Sequence, residues 1–310
     1  MKVSVVMALY NGEKYLEEQL QSILEQTVRP DEVVLSDDGS SDSTAGLARE
    51  FITRHGLSGS WRLSENPKNL GYAENFHRAA GNASGDVLFF ADQDDLWLPD
   101  KLEKMLAVLA AHPDCAVLST DYEPFCGGEG ALRVPARVRR RMPGDGLLER
   151  IELTPKHIYI GAIGCCMAVR REFYEKASAY RFRGWAQDDF LWKLAQADGG
   201  LYLWHVNLVR HRIHASNTST YGNYHDKKKR LAHIRTMRRA AIRMLARVKD
   251  RGGDPGGGKM TVLRRHIRML ELRIALMEEH RLLNAVLLLP FLGYYEQPRA
   301  YLLELLLALR

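Results

Sequence analysis

Short apolar runs alternate along this chain with stretches whose apolar residues recur every three or four positions. That alternation predicts strands and helices in turn. Residues 3–9 are apolar and rich in β-branched types, and they end at the turn signal Asn11-Gly12. Tyr15, Leu16, Leu20, Ile23 and Leu24 then follow at helical spacing. After Pro30 a second strand is expected over 32–36, a tight polar loop over 37–42, and a helix carrying Leu47, Ala48, Phe51 and Ile52 on one face. A further strand is expected over 60–64 and a helix over 72–80. Residues 87–91 (Val-Leu-Phe-Phe-Ala) suit a strand buried on both faces.

Such alternation predicts an α/β fold with an open, mostly parallel central sheet. Ligands bind such sheets beyond the carboxyl ends of the strands. Those ends are polar here: Ala8-Leu9-Tyr10-Asn11, Asp37-Asp38, and Asp92-Gln93-Asp94-Asp95. Three polar loops are therefore expected on one rim.

The middle of the chain is less regular. Gly127-Gly128-Glu129-Gly130 reads as a turn between strands, and 137–141 as a basic loop. Residues 158–169 read as a strand region in which Gly161, Gly164 and the Cys165-Cys166 pair allow close backbone approach. Trp185-Ala186-Gln187-Asp188-Asp189 opens a helix, and Leu201 begins the last strand. From Tyr224 the pattern changes to helices over 226–249 and 260–284, separated by a glycine-rich break at 252–258, with a leucine-rich segment after Pro298. Pro290, Glu296, Arg299 and Glu304 keep every apolar run short of the roughly 18 residues a spanning helix needs. The expected organisation is one domain over 1–220 and a helical extension over 221–310.

Composition adds a polarity. The 310 residues carry a net charge of +6. Residues 221–310 hold 19 Lys and Arg against 8 Asp and Glu, so the extension is +11 and the first 220 residues −5. A basic extension suits an anionic membrane surface or a polyanion. Lys227-Lys228-Lys229-Arg230 and Arg238-Arg239, interleaved with Ile234, Met237, Ile242, Met244 and Leu245, form a basic amphipathic pattern that could dock on lipid or sit on a solvated helix face. A homodimer contact is the other use considered for the extension. Cys115, Cys126, Cys165 and Cys166 have no metal or disulfide spacing and read as reduced core thiols. With no charged-then-apolar leader before the first strand, a cytoplasmic protein is expected, peripheral on the inner face of the membrane.

The acidic run carries the chemistry. Asp92, Asp94 and Asp95 follow a buried strand, where crowded carboxylates repel unless a cation neutralises them. Carboxylate oxygens suit Mg²⁺ or Mn²⁺, which keep positions for substrate phosphates. Read alone, Asp37-Asp38 is a turn with helix capping, and Tyr10 a packing residue.

Taken together, Val3-Ser4-Val5-Val6-Met7-Ala8-Leu9-Tyr10-Asn11-Gly12, Ser36-Asp37-Asp38-Gly39-Ser40-Ser41-Asp42-Ser43-Thr44 and Phe90-Ala91-Asp92-Gln93-Asp94-Asp95-Leu96-Trp97 resemble the inverting family-two glycosyltransferases of GT-A fold. The resemblance covers about residues 1–220. Asp-Gln-Asp-Asp with Asn69-Leu70-Gly71-Tyr72 and Asn75-Phe76 is similar to the rhamnosyltransferase branch, which implies a dTDP-L-rhamnose donor, with a UDP-hexose next. The implied acceptor is a surface-polysaccharide glycan or a lipid-linked one.

The resemblance implies nucleotide-sugar contacts at Ala8, Leu9, Tyr10, Asp37, Asp38, Asn69, Gly71, Asp92, Gln93 and Arg212. It implies Mg²⁺ or Mn²⁺ at Asp92, Asp94, Asp95 and His214, the last in His211-Arg212-Ile213-His214-Ala215-Ser216-Asn217. An inverting transfer needs a general base. Gln187-Asp188-Asp189-Phe190-Leu191-Trp192 resembles the family's base motif and implies Asp188, with Asp189 the alternative; Gln187 stands where the family has Glu or His. Two acids opening a helix also favour its dipole without any catalysis. Gly164, Cys165 and Trp185 are implied on the acceptor side. A nucleic-acid binder would explain the basic extension but not the acidic strand ends. A nucleotidyltransferase would need a glycine- and lysine-rich phosphate loop that Ala8-Leu9-Tyr10-Asn11-Gly12-Glu13 does not provide. A catalytically silent sugar-binding relative remains a rival.

Overall fold

The computed structural model describes residues 1–127, 143–214, 226–297 and 299–309. The expected turn over 128–130, the basic loop over 137–141, Ala215-Ser216-Asn217 and the Tyr224 boundary lie outside the described residues. The chain divides into two compact units. The first comprises Met1–Arg150, Gly161–Trp192 and Gly200–Asn217; the second, Ile151–Ile160, Lys193–Gly199 and Thr218–Arg310. Two short segments from the middle of the chain thus join the C-terminal helices.

In the first unit, β1 (Val3–Leu9), β2 (Glu32–Asp37), β3 (Trp61–Glu65) and β4 (Val87–Asp92) form a parallel half-sheet in the order β3-β2-β1-β4. They are linked by helices α1 (Leu16–Leu24), α2 (Thr44–Arg54) and α3 (Tyr72–Asn82). Val5, Met7, Leu35, Val87 and Phe89 are inaccessible to solvent, which is why these strands read as continuous apolar runs. The sheet continues through β8 (Met167–Arg170), β6 (Val117–Cys126) and β9 (Leu201–Ile213) to the short β5 (Leu96–Trp97), with β7 (Leu148–Arg150) also on β9. β8 runs antiparallel to β4 and β6, whereas β6 and β9 pair in parallel. α4 (Lys101–Ala111) and α5 (Arg171–Ser178) complete this unit. The result is a mixed α/β sheet of GT-A type whose strands are mostly parallel.

Register fixes the rim. Leu9 lies opposite Asp37 and Ala8 opposite Asp92, so three strands end level with one another. The topology reverses between β1 and β4, which opens a crevice at that level.

The strand expected over 158–169 is mostly irregular. Only Met167 onward is strand, after a 3-10 turn at Gly164–Cys166. The reason is packing: a Cβ on Gly161 would stand 3.0 Å from the Trp192 ring, and one on Gly164 would clash with the Gln187 amide. Trp192 and Gln187 belong to α6 (Gln187–Asp198). Three cysteines are buried as expected, but Cys126, ending β6, is exposed.

The second unit holds α7 (Lys227–Asp250), α8 (Gly258–Glu278), α9 (Leu283–Leu288), a 3-10 turn over Leu289–Tyr294, and α10 (Arg299–Ala308). Asp226 caps α7 by accepting from the Lys229 amide. Ile234 and Met237 of α7 pack with Met269, Leu270 and Leu276 of α8 in this unit's own core, and Met244 is buried as well. The basic amphipathic pattern of α7 therefore turns its apolar face inward, and Ile242 is its one strongly exposed apolar residue. Lipid docking through that face needs correction. Among the described residues no helix is long and apolar enough to cross a membrane.

Candidate active site

The rim is built from backbone-directed side chains. Asp37 accepts from the Gly39 and Ser40 amides and from the Ser40 hydroxyl, closing a tight turn. Asp38, 2% exposed, accepts from Asn66 Nδ2, the Leu70 amide and the Gly71 amide, all at 2.8 Å. It thereby anchors the Asn69-Leu70-Gly71 loop, where Gly71 takes a φ of +85° to start α3. Asn75 in α3 donates to the Ser36 and Leu9 carbonyls and ties the ends of β1 and β2 together. Both aspartates, expected to meet the nucleotide, hold the loops at the ends of β2 and β3 through these bonds.

Gln93 has an equally defined task. Its Oε1 accepts from the Tyr10 amide and its Nε2 donates to the Tyr10 carbonyl, each at 2.9 Å. The side chain imitates a neighbouring strand and lies over Gly12, where any Cβ would collide with it. Tyr10 is held at its main chain while its ring stays 48% exposed on the rim. Gln93 therefore acts through Tyr10, because both ends of its amide are already engaged.

Asp92 ends β4, and Asp94 and Asp95 follow it. Burial pushes the Asp92 carboxyl up to about 8, and repulsion from Asp95 and Asp94 adds to the rise. Asp188 contributes to the same field, which places the two acids within one electrostatic site. Asp94 Oδ2 lies 2.8 Å from His214 Nε2, so the acid and the imidazole expected to share a cation do meet.

Asp95 is fully buried. Its Oδ1 accepts from His211 Nδ1 at 2.8 Å and from the Arg212 amide at 2.9 Å, while its Oδ2 has no protein partner among the described residues. Burial alone would lower the His211 pKa, but the Asp95 charge and hydrogen bond carry it up to about 9. The ligand atoms of Asp95, Cys165 and His211 come within 4.8 Å of one another. Two features make that buried trio a poor cradle for a cation: burial pushes the Cys165 thiol far above its usual range, and the Lys101 ammonium is close. Asp94 with His214 offers a harder carboxylate–imidazole pair, and Asp92 precedes it in the same acidic run.

Arg212, expected among the nucleotide-sugar contacts, is engaged within the protein. Its Nε donates to the Asp94 carbonyl at 2.8 Å, another arm reaches Glu18, and the guanidinium lies 4.5 Å from the Tyr15 ring centre. At 6% exposure it braces the acidic loop from behind.

On the far side of the rim, Asp188 and Asp189 occupy the first turn of α6. Asp189 accepts from the Trp185 indole at 2.7 Å, and Asp188 accepts from the Asp189 amide. Trp185, implied on the acceptor side, is 1% exposed and stacks on Phe182, so its ring is core. The Cys165 side chain is likewise buried, and its carbonyl accepts from Lys101. Gly164 does approach the base helix, with its missing Cβ 3.6 Å from Asp188 Cβ.

Several contributors escaped sequence reasoning. Tyr72, half exposed, has its phenol pKa raised by burial and then by Asp188 and Asp189, which puts it beside the candidate base. Glu74 pairs with both terminal nitrogens of Arg181 and accepts from the Gly184 amide, fixing the segment that leads into Trp185. Lys101 is fully buried, 3.9 Å from the Trp97 ring centre, and burial lowers it to about 8 against the pull of nearby groups including Asp95 and Asp92. Its only signal was a lysine among Leu102, Met105 and Leu109 at helical spacing.

A GT-A sheet with an acidic loop after β4, a histidine just beyond β9 and a carboxylate opening a helix fits the glycosyltransferase class. Residues 4–177 match Glycosyl transferase family 2, and the chain belongs to that family. It is 34% identical over 149 residues to EpsE of Bacillus subtilis, covering 48% of this chain and 52% of that protein. It is 27% identical over 221 residues to an uncharacterized glycosyltransferase of Nostoc, covering 70% of this chain and 66% of that one. Against the dTDP-rhamnosyl transferase RfbG of Shigella flexneri it is 37% identical over 106 residues, 33% of this chain and 36% of RfbG. The chain thus spans about half to two thirds of the length of the first two relatives. Among solved structures, S. aureus TarS 1-349 in complex with UDP superposes with a TM-score of 0.63 at 19% identity, over 98% of this chain and 88% of that one.

Proposed function

We propose that this protein is an inverting, metal-dependent glycosyltransferase that moves a sugar from a nucleoside diphosphate to a glycan or lipid-linked acceptor. The observation that carries it is the meeting of Asp94 and His214 at 2.8 Å, beside an Asp92 whose pKa is raised and whose field includes Asp188. Asp92, Asp94 and His214 would hold Mg²⁺ or Mn²⁺, which when bound offsets the charge of the departing diphosphate. Tyr10, fixed by Gln93, and the loops anchored by Asp37 and Asp38 position the nucleotide. Asp188 takes the acceptor hydroxyl proton as that oxygen attacks the anomeric carbon and the bond to the diphosphate breaks. Asp188 suits this better than Asp189, whose carboxylate is turned to the Trp185 indole.

The donor we favour is dTDP-L-rhamnose, supported by the Asp-Gln-Asp-Asp run and the likeness to RfbG. A UDP-hexose is the second reading, since TarS, with this fold, has been solved with UDP-GlcNAc. Thermal shifts of the purified chain with dTDP- and UDP-sugars, with and without Mn²⁺, test the assignment. Stabilisation by one nucleotide-sugar that needs Mn²⁺ is expected, and no stabilisation by any of them defeats it. Retention of the donor's anomeric configuration in the product would exclude the single displacement. Metal-dependent donor hydrolysis separates an enzyme from a silent sugar-binding relative.

A further inference from the structure

The second unit contains a helix that is inside out. On α10 the one acidic residue, Glu304, is fully buried, while Leu302 and Leu306 on either side of it, and Leu309 just past the helix end, are 61%, 59% and 68% exposed. The spacing i, i+4, i+7 puts these leucines on one face. Glu304 is held inward by Arg230 at 2.7 Å, by Arg273 and by the Tyr295 hydroxyl. That network fixes the rotation of the helix, so the leucines cannot turn into the core without stripping Glu304 of its partners.

The neighbouring helix repeats the arrangement. Leu283, Val286 and Leu287 of α9 are 71%, 60% and 44% exposed. The Tyr301 hydroxyl donates to the Ala285 carbonyl at 3.0 Å, which holds α9 against α10 and so brings the two stripes to neighbouring helices. No charged residue occurs from 282 to 295, and Glu304 is the only one from 300 to 309. Exposed apolar stripes of this kind on neighbouring helices point to an interaction site.

Charge selects the occupant. Arg281 precedes the apolar stretch, Arg299 opens α10, and Arg264, Arg265 and Arg268 are exposed on α8, with Arg265 lying 5.9 Å from the Phe291 and Tyr294 ring centres. The C-terminal ninety residues carry +11. Two such bodies repel, whereas an anionic bilayer attracts the cations and receives the leucines. We propose that the leucine face of α9 and α10 docks this protein on an anionic lipid surface, lying in the interface and not crossing it. This surface differs from the α7 pattern that the sequence pointed to, and it does not depend on the glycosyltransferase assignment.

The test is flotation of the full chain with vesicles of phosphatidylcholine alone and of phosphatidylcholine with 30% phosphatidylglycerol (about the charge density of an anionic leaflet). The wild type is expected to float with the anionic vesicles, at least tenfold more than with neutral ones, and to be released by high salt. The triple variant Leu302→Ser, Leu306→Ser, Leu309→Ser should lose that binding by roughly tenfold or more while unfolding at an unchanged temperature, because the side chains it alters face outward. The pair Arg281→Gln, Arg299→Gln should weaken binding less. Absence of flotation, binding untouched by the serine variant, or equal binding to neutral vesicles would each overturn the proposal. A dimer in solution that the serine variant dissociates, without vesicle binding, would assign the face to a second copy and overturn it too.

Discussion

Buried carboxylates occur in both units, and the two units treat them in opposite ways. In the helical unit, Glu304 faces Arg230 and Arg273 and ends with more positive than negative charge around it. At the sheet rim the half-buried Asp92 has its carboxyl pushed up to about 8, by desolvation first and then by repulsion from Asp95 and Asp94, against the pull of His211. A buried acid matched by two arginines is an architectural device; three acids crowded at a strand end, paired only with histidines among the described residues, are the arrangement that functional sites use. The difference is sharper than any motif, because it follows from which charges the fold brings together.

The strongest way to break the comparison is at the rim. Asp188→Asn is expected to lower kcat for sugar transfer by roughly 10²- to 10⁴-fold while leaving the Mn²⁺-dependent thermal shift with donor intact. Asp94→Asn should abolish that shift itself. If Asp94→Asn left metal-dependent binding unaltered, the acidic loop would be structural, like Glu304.

The balanced case should fail differently. Glu304→Gln strands two buried guanidinium groups and is expected to destabilise the helical unit by about 3–5 kcal/mol, read as a lowered urea midpoint. A change below about 1 kcal/mol would mean the cluster is effectively solvated.

Glu74 offers an intermediate case, a fixed acid beside the site. The Arg181 hydrogen bonds lower it from 4.5 to about 2. A depressed pKa stabilises the fold above the unfolded value and that stability is lost as pH falls from about 4.5 towards about 2. The shift bounds the effect near 3 kcal/mol, and with the pair still partly exposed about 1–2 kcal/mol is expected. Glu74→Gln should therefore flatten the acid limb of a stability–pH curve measured by urea denaturation. The smallest effect belongs to Gln93→Ala, which loses two hydrogen bonds to Tyr10. A rise in donor KM of about threefold to tenfold with kcat nearly unchanged is expected, and Gly12→Ala should resemble it by displacing the same side chain.

Much of the fold was legible because it is written in local pattern. The runs at 3–9 and 87–91 are buried on both faces, and their apolar continuity says so without an alignment. Asp226 before α7 and the glycines before α8 bounded those helices within two residues at their starts. The stretch over 158–169 misled, because small residues chosen to let Trp192 and Gln187 approach resemble those of a strand. At the site, residue type indicated where chemistry gathers but not which atom faces the ligand. The resemblance implies Arg212 at the nucleotide-sugar and Trp185 on the acceptor side, yet the contacts of both side chains lie within the protein.

The sequence by itself determined the parallel half-sheet, the acidic loop at the end of β4 and the carboxylates opening α6, since each depends on residues adjacent along the chain. Only the tertiary structure decided that His214 meets Asp94 across 120 positions, that Gln93 holds Tyr10 across 83, and that Glu304 turns inward and leaves its leucines outside. Those outcomes depend on which distant groups share a small volume, where desolvation and pairing set the energy, and no local pattern encodes that.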